Sequence, residues 1–503
     1  MLSFGVLEAT GIAAPPLGFD ALRLLSIPHT SIDRIELVAP GTFEPPVPDF
    51  PSPVDYSKLP EFCRVAGSIH PSADSDIRFE LWLPISGWNG KFMQTGNGGA
   101  AGGIVYDSLV EPLMRGYAVA NTDTGHQGEM GDFSWAPGHP EKYTDYAYRA
   151  VHELTVVGKA ITTTYYGQAP QKSYWNGCST GGRQGLMEAQ RYPDDYDAII
   201  AGAPANNWEP LMSLSILIQR ELTSPDGLGI DKLELLKKSA VEACDANDGV
   251  KDGVIGEPSL CRFDPGSLQC EAGKTSECLN TSEVAAARRI YAGIVDKTGK
   301  VIMPGTGPGS ESLWAAYASP EFGIGTSYFR NLVAHDTNWD PRDFDVDTDM
   351  ARAAKVDNGA TAAMNPDLRK FFAHGGKLLL YHGTADGLIP YGNTVNYYES
   401  VVAMTGQKQA QDKIRLYLVP GMSHCSGGDC ACIIDWLNVL ENWDEHSEAP
   451  GAIPATHPAT TMGTQGALTD KAFTRPICPY PQVARYQGSG NADDASNFSC
   501  VAP

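Results

Sequence analysis

Short apolar runs separated by amphipathic stretches fill most of the chain, and their order predicts an α/β protein. Phe79-Glu-Leu-Trp-Leu83, Lys91-Phe-Met-Gln-Thr95, Tyr117-Ala-Val-Ala-Asn121 and Ser173-Tyr-Trp175 have the length and residue content of strands. A stretch with Val151, Leu154 and Ile161 on one side reads as an amphipathic helix, and Gln184 to Arg191 as a second that stops before Pro193. Such alternation is that of a parallel sheet covered by helices. From about Asn207 to Met364 the pattern changes to short helices, turn residues and closely spaced cysteines. Strand alternation resumes near Leu368, with Lys377-Leu-Leu-Leu-Tyr-His-Gly383 and Ile414-Arg-Leu-Tyr-Leu-Val419 as buried-strand runs. The expectation is one domain, residues 1–206 and 365–503, interrupted by a lid over 207–364, with no internal repeat or low-complexity linker.

Chemistry enters where strands end. Trp175-Asn-Gly-Cys-Ser-Thr-Gly-Gly-Arg183 places Ser179 in a G-x-S-x-G pattern between a strand and a helix, the setting of a nucleophile elbow. Gly177 and Gly181 would let the two backbones pass where a side chain would collide. The pattern arises by chance in a chain with 53 glycines, so its partners decide the matter. In the α/β-hydrolase fold the acid and then the base follow the serine. Thr384-Ala-Asp386-Gly387 follows one buried strand and Pro420-Gly-Met-Ser-His424 follows the next, making Asp386 the acid and His424 the base. A serine hydroxyl needs an imidazole to take its proton, and the imidazole needs a carboxylate to fix its tautomer. The structural alternatives are a buried turn serine at 179, a helix cap or Asx turn at Asp386, and His374 or His382 as the base. His152, inside the amphipathic helix, reads as a packed structural histidine. The oxyanion hole would take the amide of Thr180 and one from Gly96-Asn-Gly98-Gly99, with Gly98 and Gly99 both candidates. That loop lacks the spacing of a nucleotide-binding G-x-G-x-x-G.

Cys178 precedes the serine and Cys425 follows the histidine. If Ser179 and His424 come within hydrogen-bond reach, their neighbours approach disulfide distance; reduced thiols, or Cys178 as nucleophile, are the rivals. Short loop-closing spacings also favour Cys244 with Cys261, Cys270 with Cys278 and Cys478 with Cys500, although spacing leaves connectivity open. Cys63, Cys430 and Cys432 stay unassigned, and Cys430-Ala-Cys432 lacks a zinc ligand set. Asp245-Ala-Asn-Asp248-Gly-Val250-Lys-Asp252-Gly-Val254 concentrates carboxylates in a glycine-punctuated loop, suited to a hard cation such as Ca2+ or to a solvated Asx-turn cluster.

Taken together, Asn176-Gly-Cys-Ser-Thr-Gly-Gly-Arg-Gln-Gly185, Ala201-Gly-Ala-Pro-Ala205, His382-Gly-x-x-Asp386 and Gly421-Met-x-His-Cys425 resemble the tannase and feruloyl esterase family of serine esterases. The resemblance implies a Cys178–Cys425 disulfide, small bridges in the lid and near the C-terminus, and a structural calcium. Asp245, Asp248 and Asp252 would supply side chains to the calcium, and Val250 and Val254 carbonyls. The usual N-terminal partner of a cysteine like Cys63 is missing around Phe19-Asp-Ala-Leu22. The implied substrate is a small aromatic ester, with hydroxycinnamates such as ferulate ahead of gallates and mono(2-hydroxyethyl) terephthalate. The lid aromatics Trp314, Tyr317, Phe322, Tyr328, Phe329 and Trp339 could hold a ring or form the lid's own core. A peptidase or a noncatalytic module on the same fold are the alternatives from other classes.

Composition then narrows partners and compartment. The 503 residues carry 60 acidic and 37 basic side chains, a formal charge of −23 and a pI near 4.8, which argues against nucleic acid and anionic membranes. Eleven cysteines favour a secreted or periplasmic setting. No stretch has the length of a membrane span, and Met1 to Ala14 lacks a basic start with a long apolar core. A monomer or weak homo-oligomer is expected, with no organic cofactor.

Overall fold

The computed structural model describes residues 17–46, 54–458 and 472–503, and the expectation about Met1 to Ala14 lies outside them. Within these residues one large sheet contains β1 (Thr30–Val38), β2 (Phe62–Ile69), β3 (Ile77–Pro84), β4 (Lys91–Thr95), β5 (Ala118–Thr122), β6 (Lys172–Cys178) and β7 (Ala198–Gly202). A separate hairpin of β8 (Ile294–Val295) and β9 (Val301–Met303) comes next in the chain, and β10 (Lys377–Gly383) and β11 (Ile414–Val419) then complete the sheet. Spatial order is β1-β2-β3-β5-β4-β6-β7-β10-β11. The strands from β5 to β11 in that order pair in parallel. β1, β2 and β3 pair antiparallel with their neighbours, so the sheet is mixed, where the sequence predicts a parallel one beginning near Phe79. Helices cover both faces, and the architecture is the α/β-hydrolase fold.

Strands buried on both faces explain the near-continuous apolar runs. Successive side chains of a strand point to opposite faces. Leu378 and Leu380, Ala118 and Ala120, Ile199 and Trp175 accordingly join a core shared with Leu154 and Ile161 of the helix Ala150–Tyr166. Leu379, Val119, Ile200 and Tyr174 join a second core with Leu440 and Trp443 of the helix Trp436–His446. Between β7 and β10 the chain adds no strand to the large sheet. Those residues build a third core from Leu211, Leu214, Val284, Ile290, Trp314 and Phe329. Ala100, Phe133, Tyr143 and Tyr146, from segments after β4 and β5, enter that same core, so the insertion is fused to the sheet domain by packing. The aromatics expected to line a pocket or fill the insertion do the latter: Trp314, Tyr317, Tyr328 and Phe329 are buried, with Phe322 and Trp339 packed against them.

Registers align the carboxyl ends of the parallel strands. Thr95 pairs with Asn176, Cys178 with Gly202, and Gly383 with Val419. Loops leaving β4, β6, β10 and β11 therefore open onto one rim, where open α/β sheets place their ligand crevice. Beyond them, β12 (Ile453–His457) pairs with β13 (Phe473–Ile477) and β14 (Val483–Tyr486) with β15 (Phe498–Val501). No helix among the described residues is long and apolar enough to cross a membrane.

Candidate functional site

Ser179 stands alone between β6 and the helix Thr180–Arg191, with φ 62° and ψ −123°. A non-glycine residue with positive φ is strained, and here the surrounding turn fixes it: Ser179 N donates to Gly202 O at 3.0 Å and Ala205 N donates to Ser179 O at 3.0 Å. A Cβ on Gly177 would lie 2.6 Å from the Gly181 carbonyl carbon, and one on Gly96 would collide with Gly181 Cα. Three glycines thus let β4, β6 and the helix meet behind the serine; Gly96 joins the two that the motif predicts.

Thr180 is the first helical residue, so its amide has no acceptor within the helix. Its Oγ1 donates to Gly99 O at 2.6 Å, tying the turn to the glycine loop after β4. Gly99 has φ +52° and backs onto the Met130 carbonyl, where a Cβ would clash. Sequence reasoning passed over the residue that holds this loop. Asn97 N donates to Gln184 Oε1 at 3.0 Å, Asn97 Nδ2 donates to Thr122 O at 2.8 Å, and Asn97 O accepts from Gly181 N at 2.8 Å.

On the other side of the rim, Asp386 is fully buried in the loop after β10. Its Oδ1 accepts from the amides of Leu388 at 2.8 Å and Ile389 at 2.9 Å, which is the Asx-turn arrangement. Its Oδ2 meets His424 Nδ1 at 2.7 Å. One carboxylate therefore serves both the turn and the histidine, one oxygen each. A second imidazole shares Oδ2: His382 Nε2 lies 3.2 Å from it and 2.8 Å from Ile389 O, while His382 Nδ1 faces Thr394 Oγ1 at 2.8 Å. Two acceptors at Nε2 make that nitrogen the donor, so His382 orients the Asp386 carboxylate and has no free lone pair there. Burial acts to raise the Asp386 pKa, yet the two imidazoles outweigh it and hold the carboxyl well below the usual carboxylate range.

His424 follows β11 and is partly exposed. With Nδ1–H given to Asp386, Nε2 carries the free lone pair. The acid and base loops are laced together: Ala385 N donates to Met422 O at 3.1 Å, and Gly421 N donates to Thr384 Oγ1 at 3.1 Å. Cys178 and Cys425 are disulfide-bonded across 247 residues of sequence, with Cα atoms 5.9 Å apart, which seats Ser179 beside His424. Bridges also join Cys244 to Cys261, Cys270 to Cys278 and Cys478 to Cys500, as their spacing favours. Cys430 and Cys432, left unassigned from sequence, bond to each other within the base loop region, and Cys63 is a buried free thiol.

The insertion presses on the acid loop. Tyr317 Oη donates to Leu388 O at 2.6 Å, and a Cβ on Gly387 would lie 2.5 Å from Ser310 O. The carboxylate loop of the insertion is closed by Asp245 Oδ1, which accepts from Asp252 N at 3.0 Å, and carries two Asx turns, with Asp248 Oδ1 accepting from Val250 N at 3.0 Å and Asp252 Oδ1 from Val254 N at 3.1 Å. Burial, then the Asp252 and Asp245 charges, push Asp248 up to about 6, while Arg475 pairs with Asp252. The donor types in this loop, three carboxylates with lone pairs to spare and the carbonyls of Val250 and Val254, are those a hard cation takes, although the three carboxylates do not all lie within 4.8 Å of one another.

His152, read as a packed structural histidine, lies on the helix flank, half-buried and stacked on Tyr192 with centroids 3.7 Å apart, while Val151, Leu154 and Ile161 of the same helix enter the core.

Residues 63–501 match the sequence family described as tannase and feruloyl esterase. An uncharacterized esterase of Xanthomonas campestris pv. campestris is 35% identical, covering 95% of this chain and 90% of its own length. A probable feruloyl esterase B-2 of Aspergillus oryzae is 33% identical over 95% of this chain and 94% of its own. The solved structure of feruloyl esterase B from Aspergillus oryzae superposes with a TM-score of 0.87 at 30% identity, covering 96% of this chain and all of that one, 100%.

Proposed function

Since the chain belongs to the tannase and feruloyl esterase family and is a serine carboxylic ester hydrolase, we propose that Ser179, His424 and Asp386 are its triad and that it releases an aromatic acid of the hydroxycinnamate class, such as ferulate. The observation that carries the residue assignment is the 2.7 Å bond from His424 Nδ1 to Asp386 beside the cystine that seats His424 next to Ser179.

In this reading His424 Nε2 takes the Ser179 proton as Oγ bonds to the ester carbonyl carbon. Asp386 stabilises the resulting imidazolium without taking its proton. The carbonyl oxygen becomes an oxyanion held by the Thr180 amide and that of Gly98 or Gly99. Collapse breaks the bond to the alkoxy oxygen, which leaves as the alcohol with the proton from His424. Water then attacks the acyl-serine with His424 again as base, and the acid departs. The acyl choice rests on the relatives' names and on the insertion: Arg330 donates to Trp339 O and Arg342 is exposed and paired with Asp340, which leaves neither poised for the free carboxylate of a terephthalate half-ester.

The insertion acts as a lid whose loop holds a structural Ca2+ through Asp245, Asp248, Asp252 and the carbonyls of Val250 and Val254. Bound there, the ion supplies positive charge that balances the carboxylates and no part of the reaction. Five disulfides favour a secreted or periplasmic enzyme. The test is chromatographic detection of free acid from methyl ferulate, methyl gallate, mono(2-hydroxyethyl) terephthalate and a short p-nitrophenyl ester, with Ser179→Ala in parallel. Ser179-dependent release of ferulate is expected; release from the p-nitrophenyl ester alone rejects the acyl class, and an active Ser179→Ala protein rejects the nucleophile.

A further inference from the structure

Away from the rim, the far end of the helix Thr180–Arg191 carries an ionisable group that the reaction does not use. Glu188 is 1% exposed, and neither of its carboxylate oxygens has a hydrogen-bond partner. An ionised carboxylate left so in an apolar interior is costly, so a cation or a proton must accompany it. Burial, followed by the Asp195 charge, pushes its pKa well up. Two other donors meet it: His152 from the helix Ala150–Tyr166 and Asp195 from the turn leading into β7. One ligand atom from each of the three lies within 4.8 Å of the others, and among the described residues no other trio of such groups converges this closely. His152 Nδ1 already points at Asp195 Oδ2, 2.6 Å away, with its ring braced on Tyr192.

The geometry points to a divalent metal site, of the zinc class, formed by His152, Glu188 and Asp195 and fastening the helix that carries Ser179 to the helix Ala150–Tyr166. Three donors drawn from three segments, one imidazole and two carboxylates, match the ligand count and type of a tetrahedral zinc ion with water at its fourth position. Calcium would require six to eight oxygens, and only two carboxylates are present. The His152 and Asp195 side chains are 27% and 15% exposed, which leaves a way in from solvent. Glu188 is in the last turn of its helix, where positive charge is favoured by the helix dipole. The competing cation is Lys159, whose ammonium donates to Asp195 O and sits 5.6 Å from the Tyr196 ring centroid; it reaches the backbone there and leaves the Glu188 oxygens unpartnered. Tyr196 Oη is engaged by Gln94 at 3.0 Å, and Arg191 turns away to Met187 and Gly359. Metal binding releases any proton that Glu188 carries.

The experiment strips the full chain with chelator and titrates it with Zn2+ by calorimetry, beside Glu188→Gln, His152→Gln and, as a control for the insertion loop, Asp252→Asn. One Zn2+ per chain is expected in the parent and in Asp252→Asn, with affinity weakened more than ~100-fold in the other two variants, since even second-sphere changes cost 10–100-fold. The parent Tm should rise with Zn2+ concentration and that of His152→Gln should not. Co2+ in place of Zn2+ should give visible absorption typical of tetrahedral coordination. His152→Gln, altering a half-exposed residue, keeps the test decisive if Glu188→Gln fails to fold. Equal Zn2+ affinity in the parent and His152→Gln, or no binding by the parent, overturns the site and shows that Glu188 is simply protonated against Asp195. The triad is untouched by either outcome.

Discussion

Replacing Asp386 by Asn is the sharpest probe of the proposed triad, because the structure assigns each oxygen of this carboxylate a separate task. Oδ1 takes two amide hydrogens, from Leu388 and Ile389, and an Asn oxygen can keep both. The Asn NH2 must then face His424 Nδ1 and His382 Nε2, two groups that donate in the parent. His424 can respond by moving its proton to Nε2, which removes the lone pair needed to deprotonate Ser179. Enforcing the wrong tautomer with geometry intact lowers turnover by about 10⁴, equivalent to about 5.5 kcal/mol of transition-state stabilisation. His382 meets the same problem but has a buried alternative acceptor in Ile389 O, so folding should survive with a loss of roughly 3 kcal/mol, the scale of one or two charge-assisted hydrogen bonds. Steady-state kinetics on methyl ferulate, paired with thermal denaturation, reads both effects. His382→Asn is the companion: it removes a bond to the same oxygen without reaching the serine, so stability should fall while kcat drops by about tenfold or less. An Asp386→Asn enzyme within tenfold of parent kcat, correctly folded, would refute the assignment of His424 as a base oriented by Asp386.

Three further outcomes follow from the same geometry. Replacing Cys178 and Cys425 together by Ser frees a loop of 247 residues; chain entropy sets an upper bound of about 5.5 kcal/mol on the lost stability, and kcat should fall more than KM changes, as read by kinetics and melting of the double variant. His126 is buried against Trp135 and held down to about 4 by burial, so the folded state resists a proton that the unfolded chain accepts near 6.5. The penalty is absent above pH 6.5, grows as pH falls toward 4 and then stops growing; His126→Gln should flatten the parent's stability loss across that window by up to roughly 3 kcal/mol, measured by urea denaturation at each pH. Chelation should lower Tm before it alters kcat, and an unchanged melting curve after verified calcium removal would reject the structural ion.

What was legible in the sequence is what local rules determine. Strands buried on both faces announce themselves as apolar runs, and an α/β sheet puts its chemistry just after such runs, so Ser179, Asp386 and His424 stand out in order as the candidates. The glycines of the elbow were legible for the same reason: the collision that a Cβ at Gly177 would make is set by the turn itself. β1 could not be seen, because exposed polar residues such as Ser31, Asp33 and Arg34 make Thr30–Val38 a polar edge strand whose partner, β2, is needed to define it. Cys430 and Cys432 were opaque because a bridge across a single intervening residue leaves no spacing argument, only a loop conformation.

The residues missed around the site share one property: their roles are fixed by partners distant in sequence. Asn97 is an unremarkable loop residue until Gln184, 87 positions later, meets it through both its oxygen and its nitrogen. That pair ties the loop bearing the proposed oxyanion donors to the helix bearing Ser179, so donor and nucleophile move as one body. His382 is likewise ambiguous until Ile389 O and Thr394 fix its tautomer and turn it into a donor toward Asp386. The motifs name the reacting groups because their chemistry restricts residue type; the groups that orient them are restricted by geometry alone, and several residue types could serve there. Substitutions in this supporting network should therefore change turnover while leaving every member of the proposed triad in place.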